Sequence, residues 1–183
     1  MLRKTGILKG VELKLVSELM KNSRRSDREL ARAIGVSQPT VSRLIANLEK
    51  QGVIKEYTII PDFKKLGYTL ASLTFITLRS ELTEGEIQKA RETTTQDLCK
   101  DCPSEIIMFE RGMGMKFDGV IVAIHKDYSS YIKLVNRTKE YDFVDHRRTD
   151  SFLINLQDEA HYRYITFSTL AKNLLENACA VKQ

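Results

Sequence analysis

The chain has 183 residues, enough for one large domain or two small ones, and its 42% apolar and 29% charged residues are those of an ordinary globular protein. No apolar run reaches the ~20 residues of a membrane span, no signal peptide follows the charged start Met1-Leu2-Arg3-Lys4, and three cysteines fit a reducing cytoplasm better than a disulfide framework. The net charge of +5 is uneven, with 14 Lys+Arg against 7 Asp+Glu in residues 1–66 and 15 against 17 in 67–183, so a polyanion is expected to dock at the N-terminal third.

In chain order, Leu8, Val11, Leu15 and Leu19 fall at helical spacing, so residues 8–21 read as a first amphipathic helix, ended by the polar run Asn22-Ser23-Arg24-Arg25. Ser26 with Glu29 three residues later forms a capping box for a second helix, which buries Leu30, Ala33 and Ile34 and stops at Gly35. Val36 is an apolar plug in the turn. Ser37 caps a third helix and Pro39 fits its first turn, where a missing N–H costs nothing. Val41, Leu44, Ile45 and Leu48 make its inward stripe, and Gly52 closes it.

Two short helices joined by a tight glycine turn are the helix-turn-helix pattern. A wheel of the third helix puts Pro39, Arg43, Ala46 and Lys50 opposite the apolar stripe, flanked by Ser42 and Asn47. Gln38 can present a donor and an acceptor to adenine, and Arg43 can grip guanine through two bonds. Ser37 and Thr40 hydroxyls suit phosphate oxygens at the helix N-terminus, and Arg24, Arg25, Arg28 and Arg32 are candidate backbone clamps. Val53 to Ile60 reads as a strand, either a wing or an exit strand, and Pro61 ends it.

The residues Glu29-Leu30-Ala31, Ser37-Gln38-Pro39-Thr40-Val41-Ser42-Arg43, Leu48-Glu49-Lys50-Gln51-Gly52-Val53-Ile54 and Lys65-Leu66-Gly67 make residues 8–70 resemble the leucine-responsive regulator/asparagine-regulator (Lrp/AsnC) family. The resemblance implies a transcription regulator that binds double-stranded DNA.

Downstream, Tyr68 to Arg79 alternates as a strand, and Thr83 with Glu86 caps a helix whose Ile87, Ala90, Thr94 and Leu98 share a face. Glu105 to Arg111 is a second strand, Gly112-Met113-Gly114-Met115-Lys116 a turn, and Phe117 to His125 a third strand. Asp127 caps a helix containing Tyr131, Ile132 and Val135, and residues 143–156 read as a fourth strand. This β-α-β-β-α-β order is ferredoxin-like, with two helices on one sheet face; a second copy is the economical cover for the other, giving a homodimer or higher homo-oligomer. Leu170, Leu174, Leu175 and Ala178 place a last helix within Ile165 to Ala180, with Ser168 or Thr169 as its cap, and that helix is expected to pack on its own dimer. The expected architecture is α+β: a winged helix-turn-helix over 1–60, a hinge over 61–67, a ferredoxin-like domain over 68–156 and a helical extension over 157–183.

The family resemblance also implies a ferredoxin-like effector domain, whose small-molecule ligands, often amino acids, sit near the turn between the second and third strands. The matching stretch carries Gly112, Gly114 and Asp118, with two glycines, two methionines and an apparent extra residue where the family has a tighter glycine-acidic turn. These residues fit an effector site or a plain hairpin.

Other chemistry has thinner support. Cys99-Lys100-Asp101-Cys102 fits a redox pair or half a metal site, but the sequence holds no second pair, and no cofactor or metal is expected. An architectural DNA-coating protein would share the basic N-terminus. A sirohaem-decarboxylase-like enzyme of the same two-part architecture would use residues in the neighbourhood of Arg111, His125 and Tyr131, though no motif aligns; no nucleophile, metalloprotease or glycine-rich nucleotide motif is present, and the chain is expected not to be an enzyme.

Overall fold

A computed structural model describes residues 8, 10–101, 106–112, 114–160 and 165–180, without the side chains of 95, 98–101 and 176–180. The chain forms two compact units, one of residues 1–60 with 162–183 and one of residues 61–161.

The first unit holds helices α1 (Val11–Lys21), α2 (Asp27–Ile34), α3 (Gln38–Lys50) and α6 (Ser168–Ala180). Leu15, Leu30, Ala31, Ile34, Val41 and Leu48 form its buried core, with Leu8, Leu19, Val36, Leu44 and Ile45 packed against it. Fully burying each such leucine or valine is worth about 1.5–3 kcal/mol. The capping box of α2 is present: Ser26 Oγ accepts the Glu29 N–H at 3.3 Å while Glu29 accepts the Ser26 N–H at 2.7 Å. Gly35 ends α2 at φ 77°, a left-handed conformation that the Cβ of other residues disfavours.

Three expectations need correcting here. Ala33 is exposed and Ala31 is the buried alanine of α2. Ser37 is the N-cap of α3 but makes no side-chain cap; its hydroxyl bonds the Thr40 hydroxyl instead, at 2.8 Å. Residues 53–60 form no strand. Among the described residues their β-branched run has no neighbouring strand to complete a ladder, and the N–H groups of Val53 and Ile54 both turn back to the Leu48 carbonyl, at 2.9 and 3.3 Å.

The C-terminal helix is a fourth wall of this unit. Ala171 is fully buried, and its carbonyl accepts the hydroxyl of Ser17, itself fully buried in α1, at 2.7 Å. Of the segment read as an extension over 157–183, residues 162–183 belong to the N-terminal unit and 157–161 to the second. α6 begins at Ser168, and the Thr166 hydroxyl accepts the Ser168 N–H at 3.2 Å.

The second unit is a four-stranded antiparallel sheet, β1 (Leu70–Ile76), β2 (Ile106–Arg111), β3 (Gly119–His125) and β4 (Asp150–Asn155), in the order β2-β3-β1-β4. Helices α4 (Glu84–Asp101) and α5 (Tyr128–Thr138) follow β1 and β3; the expected capping box of Thr83 with Glu86 and the expected cap Asp127 are formed, and Ser130 completes a second box with Asp127. Directly paired residues share a face. Ile76, Ile121 and Ala123 accordingly point with Leu134 and Val144 into one apolar core. On the same face Ser72 Oγ meets His125 Nε2 at 2.8 Å.

Leu73, Phe75, Val120, Val122, Met108, Phe152 and Ile154 occupy the opposite face by register. Met108, Phe152 and Ile154 are exposed there, at 43%, 62% and 39%.

The strand expected over 143–156 is broken. Val144 makes an isolated bridge to Leu78, a 3-10 turn occupies His146–Arg148, and pairing with β1 begins only at Asp150. Asp145 causes the break, its carboxylate accepting the Arg147 N–H at 3.1 Å and its carbonyl the Arg148 N–H at 3.1 Å.

Candidate nucleic-acid interface

The three-residue turn Gly35-Val36-Ser37 sets α3 against α2, and Val41 and Leu48, both fully buried, fix which side of α3 faces inward. The helical repeat then leaves Gln38, Pro39, Arg43, Ala46, Asn47 and Lys50 exposed. Arg28 and Arg32, four residues apart on α2, and Arg24 in the turn before it are exposed as well. No acidic residue lies in the first turn of α3, so the positive end of its dipole is not neutralised there.

Four of the expected contact residues are engaged within the protein: Ser37 and Thr40 with each other, and Arg25 and Ser42 with acids. Arg25 is half-buried and pairs with Glu18, which Lys21 also approaches at 2.6 Å; the Lys21 hydrogen bond above all holds the Glu18 carboxyl below its ordinary 4.5, partial burial opposing and Arg25 adding. Ser42 donates to the Asp27 carboxylate, joining α3 to the start of α2. Glu18, Asp27 and Tyr57, whose hydroxyl donates to Glu49 at 3.1 Å, were not readable as partners because each bond crosses between segments.

In the second unit the Gly112–Asp118 turn is closed by Gly112 N–H to the Asp118 carbonyl at 3.0 Å and Phe117 N–H to the Gly114 carbonyl at 3.0 Å. Met113 lies outside the described residues. Asp118 turns its carboxylate inward, accepting the Leu78 N–H at 2.8 Å, so it serves the turn's architecture. Residues Arg79, Lys116 and Arg148, which the sequence did not single out, line the same open cleft as Gly112, Gly114 and Arg111.

Cys102 lies outside the described residues and so does the Cys99 side chain, although the Cys99 backbone is in the last turn of α4. Among the described residues no group of His, Cys, Asp and Glu is arranged to hold a metal ion. Arg111, His125 and Tyr131 do not converge. His125 is fully buried, edge-on to Tyr131, whereas Arg111 pairs with Gly119 at the other end of β3, roughly 20 Å away along the strand. Among the described residues no helix is long and apolar enough to cross a membrane.

The winged helix-turn-helix DNA-binding family matches residues 8–55. An uncharacterized HTH-type transcriptional regulator of Pyrococcus abyssi is 48% identical over 61 residues, and LrpC of Bacillus subtilis 40% identical over 70. These alignments cover 33% and 38% of this chain and 41% and 49% of those proteins, so with these relatives the match spans about half their length or less. An uncharacterized HTH-type transcriptional regulator of Pyrococcus furiosus is 32% identical over 126 residues, 69% of this chain and 78% of that one. The solved structure of B. subtilis LrpC superposes with a TM-score of 0.62 at 25% identity, covering 86% of this chain and all of that one. A transcriptional regulator of Neisseria meningitidis, solved as its L-Met complex, shares the fold with a TM-score of 0.65 at 18% identity, covering 90% of this chain and 99% of that one. With its helix-turn-helix followed by a βαββαβ sheet, the chain belongs to the Lrp/AsnC family of HTH-type transcriptional regulators.

Proposed function

We propose that the protein is a sequence-specific regulator of transcription that acts in the cytoplasm on double-stranded DNA, as a homodimer or higher homo-oligomer, and is not an enzyme. The observation that carries this reading is the two-sided character of α3. Val41 and Leu48 anchor it, and Gln38, Arg43, Asn47 and Lys50 stand free on the other side. A helix of this kind fits a major groove, where Gln38 and Arg43 read base edges while Arg28, Arg32 and Lys50 hold phosphates. Arg24, Ser37, Pro39 and Thr40 crowd the same approach, and Arg25 and Ser42 act by bracing it.

The apolar sheet face bearing Met108, Phe152 and Ile154 supports dimerisation, since a second copy would remove that surface from water. The Gly112–Asp118 turn is the proposed effector site, as the family resemblance implies, and a Neisseria regulator of the same fold solved as its L-Met complex makes an amino acid one candidate ligand. Selection of bound duplexes from a random pool, followed by footprinting with and without amino acids, tests the reading. A partly palindromic site is expected, with half-sites about 34–36 Å or a multiple apart. Protection that spreads over any sequence alike would contradict it.

A further inference from the structure

The Gly112–Asp118 turn forms one wall of an open cleft of about 770 Å³, within the range of small-molecule sites. Four cations line it: Arg79 just past β1, Arg111 at the end of β2, Lys116 in the turn, and Arg148 at the end of the 3-10 turn. All four are exposed, and none pairs with a carboxylate among the described residues. The one acid among the described lining residues, Asp118, already accepts the Leu78 N–H. Four cations against the single Asp118 carboxylate leave the cleft net positive.

The backbone beneath two of these cations is fixed. Thr77, 3% exposed, lies between the two turns, with its hydroxyl 3.0 Å from the Arg148 carbonyl and 3.4 Å from that of Lys116. Met115 and Lys116 both hold positive φ, 48° and 66°, a conformation that non-glycine residues rarely adopt and that the surrounding bonds must enforce. Arg111 and Arg148 offer planar forks that match carboxylate or phosphate oxygens.

A zwitterionic amino acid would find four cations here for its one carboxylate, and for its ammonium only Asp118, which already accepts the Leu78 N–H through one oxygen. We propose that this cleft binds a small organic polyanion carrying two or more carboxylate or phosphate groups. The proposal deepens the effector reading and rests on the Gly112–Asp118 turn being the ligand site; it does not rest on DNA binding.

The test is calorimetric titration of the full chain, in a low-salt buffer free of carboxylate and phosphate. Citrate and fructose 1,6-bisphosphate are the probes, L-Met and L-Leu the comparators, and sodium chloride and sodium sulfate at matched ionic strength the controls. Saturable binding of one probe per chain is expected, roughly tenfold or more tighter than either amino acid. The two probes separate carboxylate from phosphate recognition. Arg111→Gln with Arg148→Gln should weaken it by about tenfold or more without shifting the thermal transition of the free protein, and Lys126→Gln, outside the cleft, should leave it unchanged.

Equal or tighter binding of L-Met, heat reproduced by either salt, or indifference to the double variant would overturn the proposal. So would a finding that the double variant weakens random duplex DNA while neither probe binds, which would make the cleft a DNA-backbone contact. Duplex binding by the same wild-type preparation separates the two readings: loss of anion binding alone removes this proposal, and anion binding without DNA binding removes the regulator.

Discussion

The Ser17 hydroxyl donates to the main-chain carbonyl of Ala171 across 154 residues of sequence, with both residues fully buried. It fastens the last helix of the chain to the first, inside the unit that carries α3. Ser17→Ala would remove a buried hydrogen bond to a carbonyl that keeps its place in the helical ladder of α6, and a loss of about 0.5–1.5 kcal/mol is expected in denaturant unfolding of that unit. Because neither residue lies on the exposed face of α3, affinity for the selected duplex should be little changed while the protein remains folded.

Arg25 and Arg28 are separable. Arg28 is exposed without an ion pair among the described residues, so Arg28→Ala should weaken binding to all duplexes alike and lower the salt slope by about one unit. Arg25 is tied to Glu18, and Arg25→Ala should mainly cost stability, up to about 1 kcal/mol. Titration of each variant against random duplex at several salt concentrations, alongside thermal unfolding, distinguishes the two roles.

The same pair gives a pH dependence. Glu18 is held below 4.5 in the folded chain, first by the Lys21 hydrogen bond, so its contribution to stability is complete above 4.5 and disappears as pH falls through the lowered folded value. Glu18→Gln should flatten the acid side of the stability curve. Part of the slope should remain, because Glu29, Glu86 and Asp127 are also lowered by their cap bonds.

Phe152 stands 62% exposed on the uncovered sheet face, so an arginine there can reach water in a lone chain but not between two packed sheets. Phe152→Arg should shift the sedimentation coefficient toward the monomer and weaken binding to the two-half-site duplex far more than to a single half-site. An unchanged oligomer would place the dimer contact elsewhere.

What the sequence disclosed follows from the range of the forces involved. The capping boxes of Ser26 and Thr83, the cap Asp127, the left-handed stop at Gly35 and the stripe Val41/Leu48 are set by residues within one or two turns, and each is visible as spacing. The strand expected over 53–60 failed because β-branching favours an extended chain but cannot supply a neighbour. The break at Asp145 was hidden because the hydrophobic run on either side continues the strand pattern, while one carboxylate redirects the backbone. The bond of Ser17 to the Ala171 carbonyl left no trace in spacing, because its partner lies 154 residues away. The four cations of the cleft come from four separate segments, and only folding brings them to one place.

The central claim is that α3 reads bases and its neighbours hold phosphates. Affinities of the wild-type protein and of Arg43→Ala for the selected duplex and for random duplex, at one salt concentration, test it most directly. The account predicts a loss of about 1–3 kcal/mol on the selected duplex and little on the random one, with the fold intact. An equal loss on both duplexes, or none on either, would contradict it.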